Sequence, residues 1–171
     1  MKPPVRILTL ALLLAGCSTA SVSYDQHTDF SAYRTFSQAP PPKAAPNLIG
    51  YTSIVGGQIQ DEIASQLQAK GFRAASPETA DLVVVTSISG QQRTDLVSDG
   101  GGWYGGYGDT YTVRYVEGTM IIDIFDRAKK QLIFHGWDQK QIFSSSADTK
   151  EVLKSVDEIL AKFPPQPKKK S

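Results

Sequence analysis

The chain has 171 residues, 40% of them hydrophobic and 20% charged, which suffices for one compact domain with a core and is too short for two. Its 18 Lys and Arg oppose 17 Asp and Glu, and the basic residues are scattered apart from Lys168, Lys169 and Lys170, so the footprint of a nucleic-acid binder is missing. A single cysteine, Cys17, excludes both a disulfide framework and a CxxC metal site within the chain.

Met1 to Arg6 carries Lys2 and Arg6, and Ile7 to Leu14 follows as an apolar run, far short of the roughly 20 residues a membrane-spanning helix needs. This is the pattern of an export leader. It closes on Leu14-Ala15-Gly16-Cys17, which resembles the bacterial lipobox; the resemblance implies a diacylated Cys17 thiol and cleavage just before it. The expected organisation is a leader over 1–16, a lipidated linker over 17–20, one domain over 21–165 and a solvated basic tail over 166–171. Loss of Lys2 and Arg6 would take the net charge from +1 to about −1, 16 basic residues against 17 acidic. Each buried acyl methylene contributes about 0.8 kcal/mol, so two or three chains would hold the domain on a membrane durably. Ser18, rather than Asp, implies by its resemblance to enterobacterial sorting an outer-membrane destination facing the periplasm.

In the mature part, Ser21 to Asp25 and Tyr33 to Phe36 alternate aromatic or apolar with polar residues and read as two pieces of one interrupted edge strand. Pro40, Pro41, Pro42 and Pro46 make a stiff exposed connection. From Leu48 to Lys70 the residues Tyr51, Val55, Ile59, Ile63 and Leu67 recur every fourth position, with Ile54 broadening the stripe, so an amphipathic helix is predicted, best defined over Gln58 to Lys70 because Gly56 and Gly57 weaken its start. Gly71 suits a left-handed cap. Phe72 to Ala75 reads as a short strand and Asp81 to Arg93 as a central one.

Tyr111 to Phe143 is the organising stretch: two β-rich runs flank the polar turn Asp126 to Gln131, the signature of a hairpin. Met120, Ile122 and Ile124 share one face of its first arm, and Thr119, Ile121, Asp123 and Phe125 the other. In the second arm Leu132 and Phe134 alternate with Ile133, His135 and Trp137, and the polar Asp138 to Gln141 should mark a strand leaving the core. Asp148 and Glu151 form a capping box before Val152, Leu153, Val156, Ile159, Leu160 and Phe163, and Pro164 and Pro165 stop that helix. The order has no regular βαβ repetition, which predicts a single α+β domain: a largely antiparallel sheet with two main helices packed on one face.

Tyr24-Asp25, Asp29 to Phe36, Ala69 to Phe72, Ala80 to Val84, Glu117 to Asp123 and Ile159 to Pro165 together resemble a bacterial envelope lipoprotein family, domain of unknown function 4136. The resemblance covers nearly the whole mature chain and implies fold and location. It supplies no catalytic residue.

The chemistry-bearing residues are sparse. His27 and His135 are the two histidines, without HxxxH spacing, so no metal and no other cofactor is expected. No serine sits in a G-x-S-x-G elbow, so a Ser/His/Asp triad is not expected. Glu117 and Asp123 share a strand face about 20 Å apart, too far for paired acid and base work, and Asp123 is expected to tie the sheet to a helix or turn. Thr94 to Thr110 reads as a long glycine-rich loop; its GGGWYGGYG segment lacks the Lys-Ser/Thr ending of a phosphate loop. Its Trp103, Tyr104 and Tyr107 are candidate partner-binding rings for a glycan, a lipid headgroup or an envelope protein, against the plainer reading of a hairpin tip without a partner. Two functions follow as expectations: a non-catalytic lipoprotein that binds or assembles in the envelope, and an envelope hydrolase using a carboxylate with His135.

Overall fold

The computed structural model describes residues 20–41, 53–98, 110–142 and 149–165. In chain order the elements are β1 (Ser21–Tyr24), a one-turn 3-10 helix (Phe30–Ala32), β2 (Thr35–Gln38), α1 (Ser53–Ala69), β3 (Arg73–Ala74), β4 (Leu82–Ser98), β5 (Thr110–Asp126), β6 (Gln131–Ile142) and α2 (Thr149–Leu160). One six-stranded sheet runs in the order β1-β6-β5-β4-β2-β3. Its four strands β1-β6-β5-β4 pair antiparallel, while β2 lies parallel to both β4 and β3, so the largely antiparallel sheet is a mixed one. The single α+β domain with both helices on one face is as the patterning predicts.

The helix face carries Leu82, Val84, Met120, Ile122, Ile124 and Phe134, all buried in one cluster with Val55, Ile59, Ile63 and Leu67 of α1 and Val156, Ile159 and Leu160 of α2. Helix α1 already begins at Ser53, before Gly56 and Gly57, because packing of Val55 and Gly56 outweighs their weak propensity. Ile54 points away from the core, 72% exposed. Tyr51 and Asp148 lie outside the described residues. Gly71, at φ 92°, ends α1: its N–H bonds to Gln68 O and that of Phe72 to Leu67 O, a Schellman closure whose hydrophobic partners, Phe72 and Leu67, are both core residues.

Four expectations need correction. The two N-terminal strand pieces are not one edge strand: β1 borders β6, whereas β2 sits between β4 and β3, because the segment joining them passes the end of the sheet that bears the β5–β6 turn, where Tyr33 bonds Asp126, with Phe30 edge-on to Phe163. The β4 and β5 strands pair out to Ser98 and Thr110, so both ends of the expected Thr94 to Thr110 loop are strand and residues 99–109 lie outside the described residues. The pairing of β5 with β6 shifts register between Ile124 and Phe125, a bulge that buries both Ile133 and Phe134 where simple alternation would expose one of them. Lastly, β6 does not leave the core at Asp138. That residue is 2% exposed, accepts from Ser155 Oγ at 2.6 Å, and lies 3.3 Å from Lys140 Nζ. Lys140 also lies 3.4 Å from Glu158, so a polar cluster fixes α2 to β6 where the sequence turns hydrophilic.

Helix α2 packs closely on the sheet at Gly136, where an added Cβ would stand 2.3 Å from Ile159 Cγ2. Ile159 is β-branched and stiff at χ1 within a helix, so it cannot swing aside cheaply. Gly136→Ala should therefore cost about 1 to 3 kcal/mol by overpacking. Gly57, inside α1 with nothing within 4 Å of such a Cβ, should respond oppositely: Gly57→Ala should stabilise by about 0.5 to 1 kcal/mol. Urea melts of the two variants check both signs.

Candidate functional site

The sheet face opposite the helices holds the polar candidates. The ladder registers place side chains there in rows: Ser23, His135, Asp123 and Val85 side by side across β1, β6, β5 and β4, and next to them Ser21, Trp137, Ile121 and Ser87. Leu132, Phe125 and Val83 form a further row. Residues of this face are half-buried or exposed, with Trp137 36% and Leu132 42% accessible.

Within the first row His135 Nδ1 lies 2.5 Å from Asp123 Oδ1, and the imidazole leans on the Trp137 indole at a centroid distance of 5.1 Å. A carboxylate only accepts, so Nδ1 carries the proton and Nε2 is the ring's second, outward nitrogen. The expected role of Asp123, tying the sheet to a helix or turn, is thereby corrected. Asp123 joins two neighbouring strands across the open face, because its strand position points away from both helices. Ser23 is the lateral neighbour of His135, yet no hydrogen bond joins them among the described residues, and a nucleophile and its base act at about 2.6 to 3.2 Å. Glu117 is engaged elsewhere, 2.9 Å from Arg93 Nε. His27 is exposed in the turn after β1, where its backbone N–H binds Asp25 Oδ1. Among the described residues no group of three or more His, Cys, Asp or Glu is placed to hold a metal ion, and no helix is long and apolar enough to cross a membrane. Cys17, Trp103, Tyr104 and Tyr107 lie outside the described residues.

A second concentration of polar groups, which sequence reasoning missed, lies at the end of the sheet bearing the β5–β6 turn. Asp81 Oδ2 accepts from the N–H of Arg34 at 2.8 Å, the N–H of Thr35 at 2.9 Å and the Thr35 hydroxyl at 2.9 Å, while its own N–H binds that hydroxyl. These bonds, the Arg34 N–H foremost, hold the Asp81 carboxyl below its usual range against the opposing effect of burial. Asp126 binds the Tyr33 hydroxyl at 2.9 Å and the Lys129 N–H at 2.9 Å. Burial opposes its ionisation, and the bonds from Lys129 and Tyr33 outweigh that and lower its pKa. Tyr33 responds in reverse: burial first, then the Asp126 carboxylate, pushes its phenol up to about 12. The available signal was Asp81 directly before the strand-forming run Leu82 to Val85, in chain proximity to no partner; the partners, Arg34 and Thr35, lie at the start of β2, joined to β4 by parallel pairing.

This fold and these two polar clusters define a class: a small α+β domain with an open six-stranded mixed sheet and two helices on one face. The family model described as Domain of unknown function (DUF4136) matches residues 20–165, and the chain belongs to that family. No curated protein matches. Among solved structures the chain is similar to a PDZ domain protein from Parabacteroides distasonis, at 11% identity and TM-score 0.61, over 87% of this chain and 36% of that one; it thus spans about a third of that protein's length. It is also similar to PelC from Paraburkholderia phytofirmans, crystallised as a dodecamer, at 12% identity and TM-score 0.50 over 83% of this chain and 95% of that one. A homologue of the neuraminyllactose-binding hemagglutinin from Helicobacter pylori gives 10% identity and TM-score 0.50 over 79% and 87%. At these identities the likeness is one of fold.

Because the folded-state pKa values of Asp81 and Asp126 are lowered, the stability they contribute is present above the unfolded value near pH 4 and is lost as pH falls through the lower folded values. Asp81→Asn should cost about 1 to 3 kcal/mol at pH 7, the worth of hydrogen bonds to a charged group. The gap to the unaltered protein should narrow below about pH 4, which urea melts at pH 7 and pH 3 would register.

Proposed function

We propose that this protein is a lipoprotein anchored through Cys17 in the outer membrane, facing the periplasm, where it serves as a non-catalytic binding or assembly module of the envelope. The observation that carries the reading is the leader ending in Leu14-Ala15-Gly16-Cys17, set directly before the matched domain at residue 20. Ala20 is already buried and part of the core cluster, so Cys17, three residues upstream, can stand no more than about 11 Å from it at full extension. An anchor there would hold the domain close against the headgroups. The open sheet face with Trp137, Leu132 and Phe125, and the rings of Trp103, Tyr104 and Tyr107, are the surfaces offered to an envelope protein or glycan.

Cys17→Ser should yield an uncleaved or soluble chain, since no thiol remains to be acylated; a leaderless mutant that still enters the detergent phase would remove the anchor from this reading. Replacing Trp103, Tyr104 and Tyr107 together by serine should lower the yield of crosslinked partner recovered from the envelope while leaving the thermal transition within about 8 °C of the original.

One observation favours a second reading, an envelope hydrolase: the His135–Asp123 pair at 2.5 Å with Ser23 in register beside it. Screening the protein against glycan and ester substrates tests it. Turnover abolished by His135→Ala would establish the hydrolase and displace the binding module.

A further inference from the structure

The end of the sheet that holds Asp81 and Asp126 also carries an open cleft of about 330 Å³, walled by Phe30, Tyr33, Phe72 and Pro164 and bearing the two cationic side chains Arg34 and Lys70. We propose that this cleft binds a short acidic saccharide, a sugar ring carrying a carboxylate. The proposal goes beyond the anchored binding module and stands without it.

The walls are rigid before any ligand arrives. The Tyr33 hydroxyl is fixed on Asp126, so its ring cannot turn freely. Phe30 is held edge-on between Tyr24, at 6.2 Å, and Phe163, at 5.8 Å, and Phe72 lies 5.7 Å from Phe163. Preset aromatic surface with a polar rim accepts the C–H face of a sugar without the loss of side-chain freedom that a mobile site incurs. The volume sits at the lower end of small-ligand pockets, about 300 to 1,000 Å³, and suits a mono- or disaccharide.

The charges are placed for an anion. Arg34 donates through Nη1 to the carbonyls of Ser31 and Tyr33, at 2.5 and 2.8 Å, which holds the guanidinium in place. Its Nε and Nη2 have no hydrogen-bond partner among the described residues, and that edge is the one a carboxylate grips in bidentate fashion. Lys70 follows the last residue of α1 and forms no ion pair among the described residues. Three acids lie nearby: Asp81 is taken up by the N–H groups of Arg34 and Thr35, Asp126 by the Tyr33 hydroxyl and the Lys129 N–H, and Asp29 by the N–H and hydroxyl of Ser31, feeling Arg34 only through its field. A cation at a helix C-terminus also complements the helix dipole, so the test must distinguish ligand binding from that stabilising role.

Calorimetric titration of the full chain in detergent micelles with digalacturonate, with the uncharged digalactose of the same ring size, and with inorganic phosphate makes the distinction. Digalacturonate should bind at least about tenfold more tightly than either control, the factor that one charge-assisted hydrogen bond supplies, and its affinity should fall with added salt. Lys70→Gln should weaken it about tenfold with little change in melting temperature. Phe30→Ala should weaken digalacturonate while leaving the response to salt unchanged, and Lys154→Gln, on the exposed side of α2, should alter nothing. The proposal fails if digalacturonate shows no binding at millimolar concentration, if phosphate binds as tightly, which would mean a site for charge alone, or if Lys70→Gln lowers the melting temperature but not the affinity. If Phe30→Ala does not fold, Tyr33→Phe, which frees the ring from Asp126 while keeping its surface, takes its place and should weaken digalacturonate; unchanged affinity would again overturn the proposal.

Discussion

Helix α2 lies on β6 closely enough that Ile159 occupies the space a side chain at Gly136 would fill, and much of the domain follows from that contact. The approach brings Val156, Ile159 and Leu160 into one core cluster with Ile122 and Phe134, and it delivers Phe163 into an aromatic group with Phe30, Phe72 and Phe134. Phe163 therefore touches structure contributed by the N-terminal crossover, by the cap of α1 and by the sheet. One residue before Val156 on the same helix, Ser155 donates to the buried Asp138 carboxylate. A buried carboxylate is tolerable only when its lone pairs are met, so the Asp138, Ser155 and Lys140 cluster adds direction to a contact that apolar packing alone would leave free to slide.

The sequence made the frame legible wherever one residue pattern answered to one surface. Fourfold spacing of Val55, Ile59, Ile63 and Leu67 marked the buried stripe of α1, and alternation through Met120, Ile122 and Ile124 marked the buried face of β5. It misled where a local pattern was overruled by distant chain. The hydrophilic run from Asp138 resembles a strand entering water, and the serine on α2 and Lys140 help make its burial acceptable. The parallel placement of β2 against β4 rests on Thr35 and Asp81, separated by 46 positions, and nothing in the neighbourhood of either residue announces it.

Site residues divide along the same line. His135 was visible as one of two histidines, but its partner was not, because Asp123 is twelve positions away and meets it only through the hairpin register. The cleft was legible in fragments: Phe30 to Arg34, Lys70 to Phe72 and Pro164 all fall in segments that carry the family resemblance, yet periodicity and composition describe them as a turn, a helix cap and a stop signal. Each of those descriptions is right locally. Their convergence is a property of the fold, set by the segment that joins β1 to β2 past the end of the sheet.

The position of β1 bears on how the domain meets mechanical load. This strand contributes four ladder positions at the sheet margin, against β6 alone, and is the first described strand of the chain; the Ala20 carbonyl just ahead of it is held by the Lys162 ammonium. Tension entering from the N-terminal side and directed across the strands would meet that contact first and then the β1 pairs from Ser21 toward Tyr24, one after another rather than all at once. Bonds loaded in sequence part at lower force than bonds sheared together. The margin strand would thus be the first of the six to part from the sheet, exposing the edge of β6 beside His135 and Trp137 and withdrawing Val22 and Tyr24 from the core they pack against.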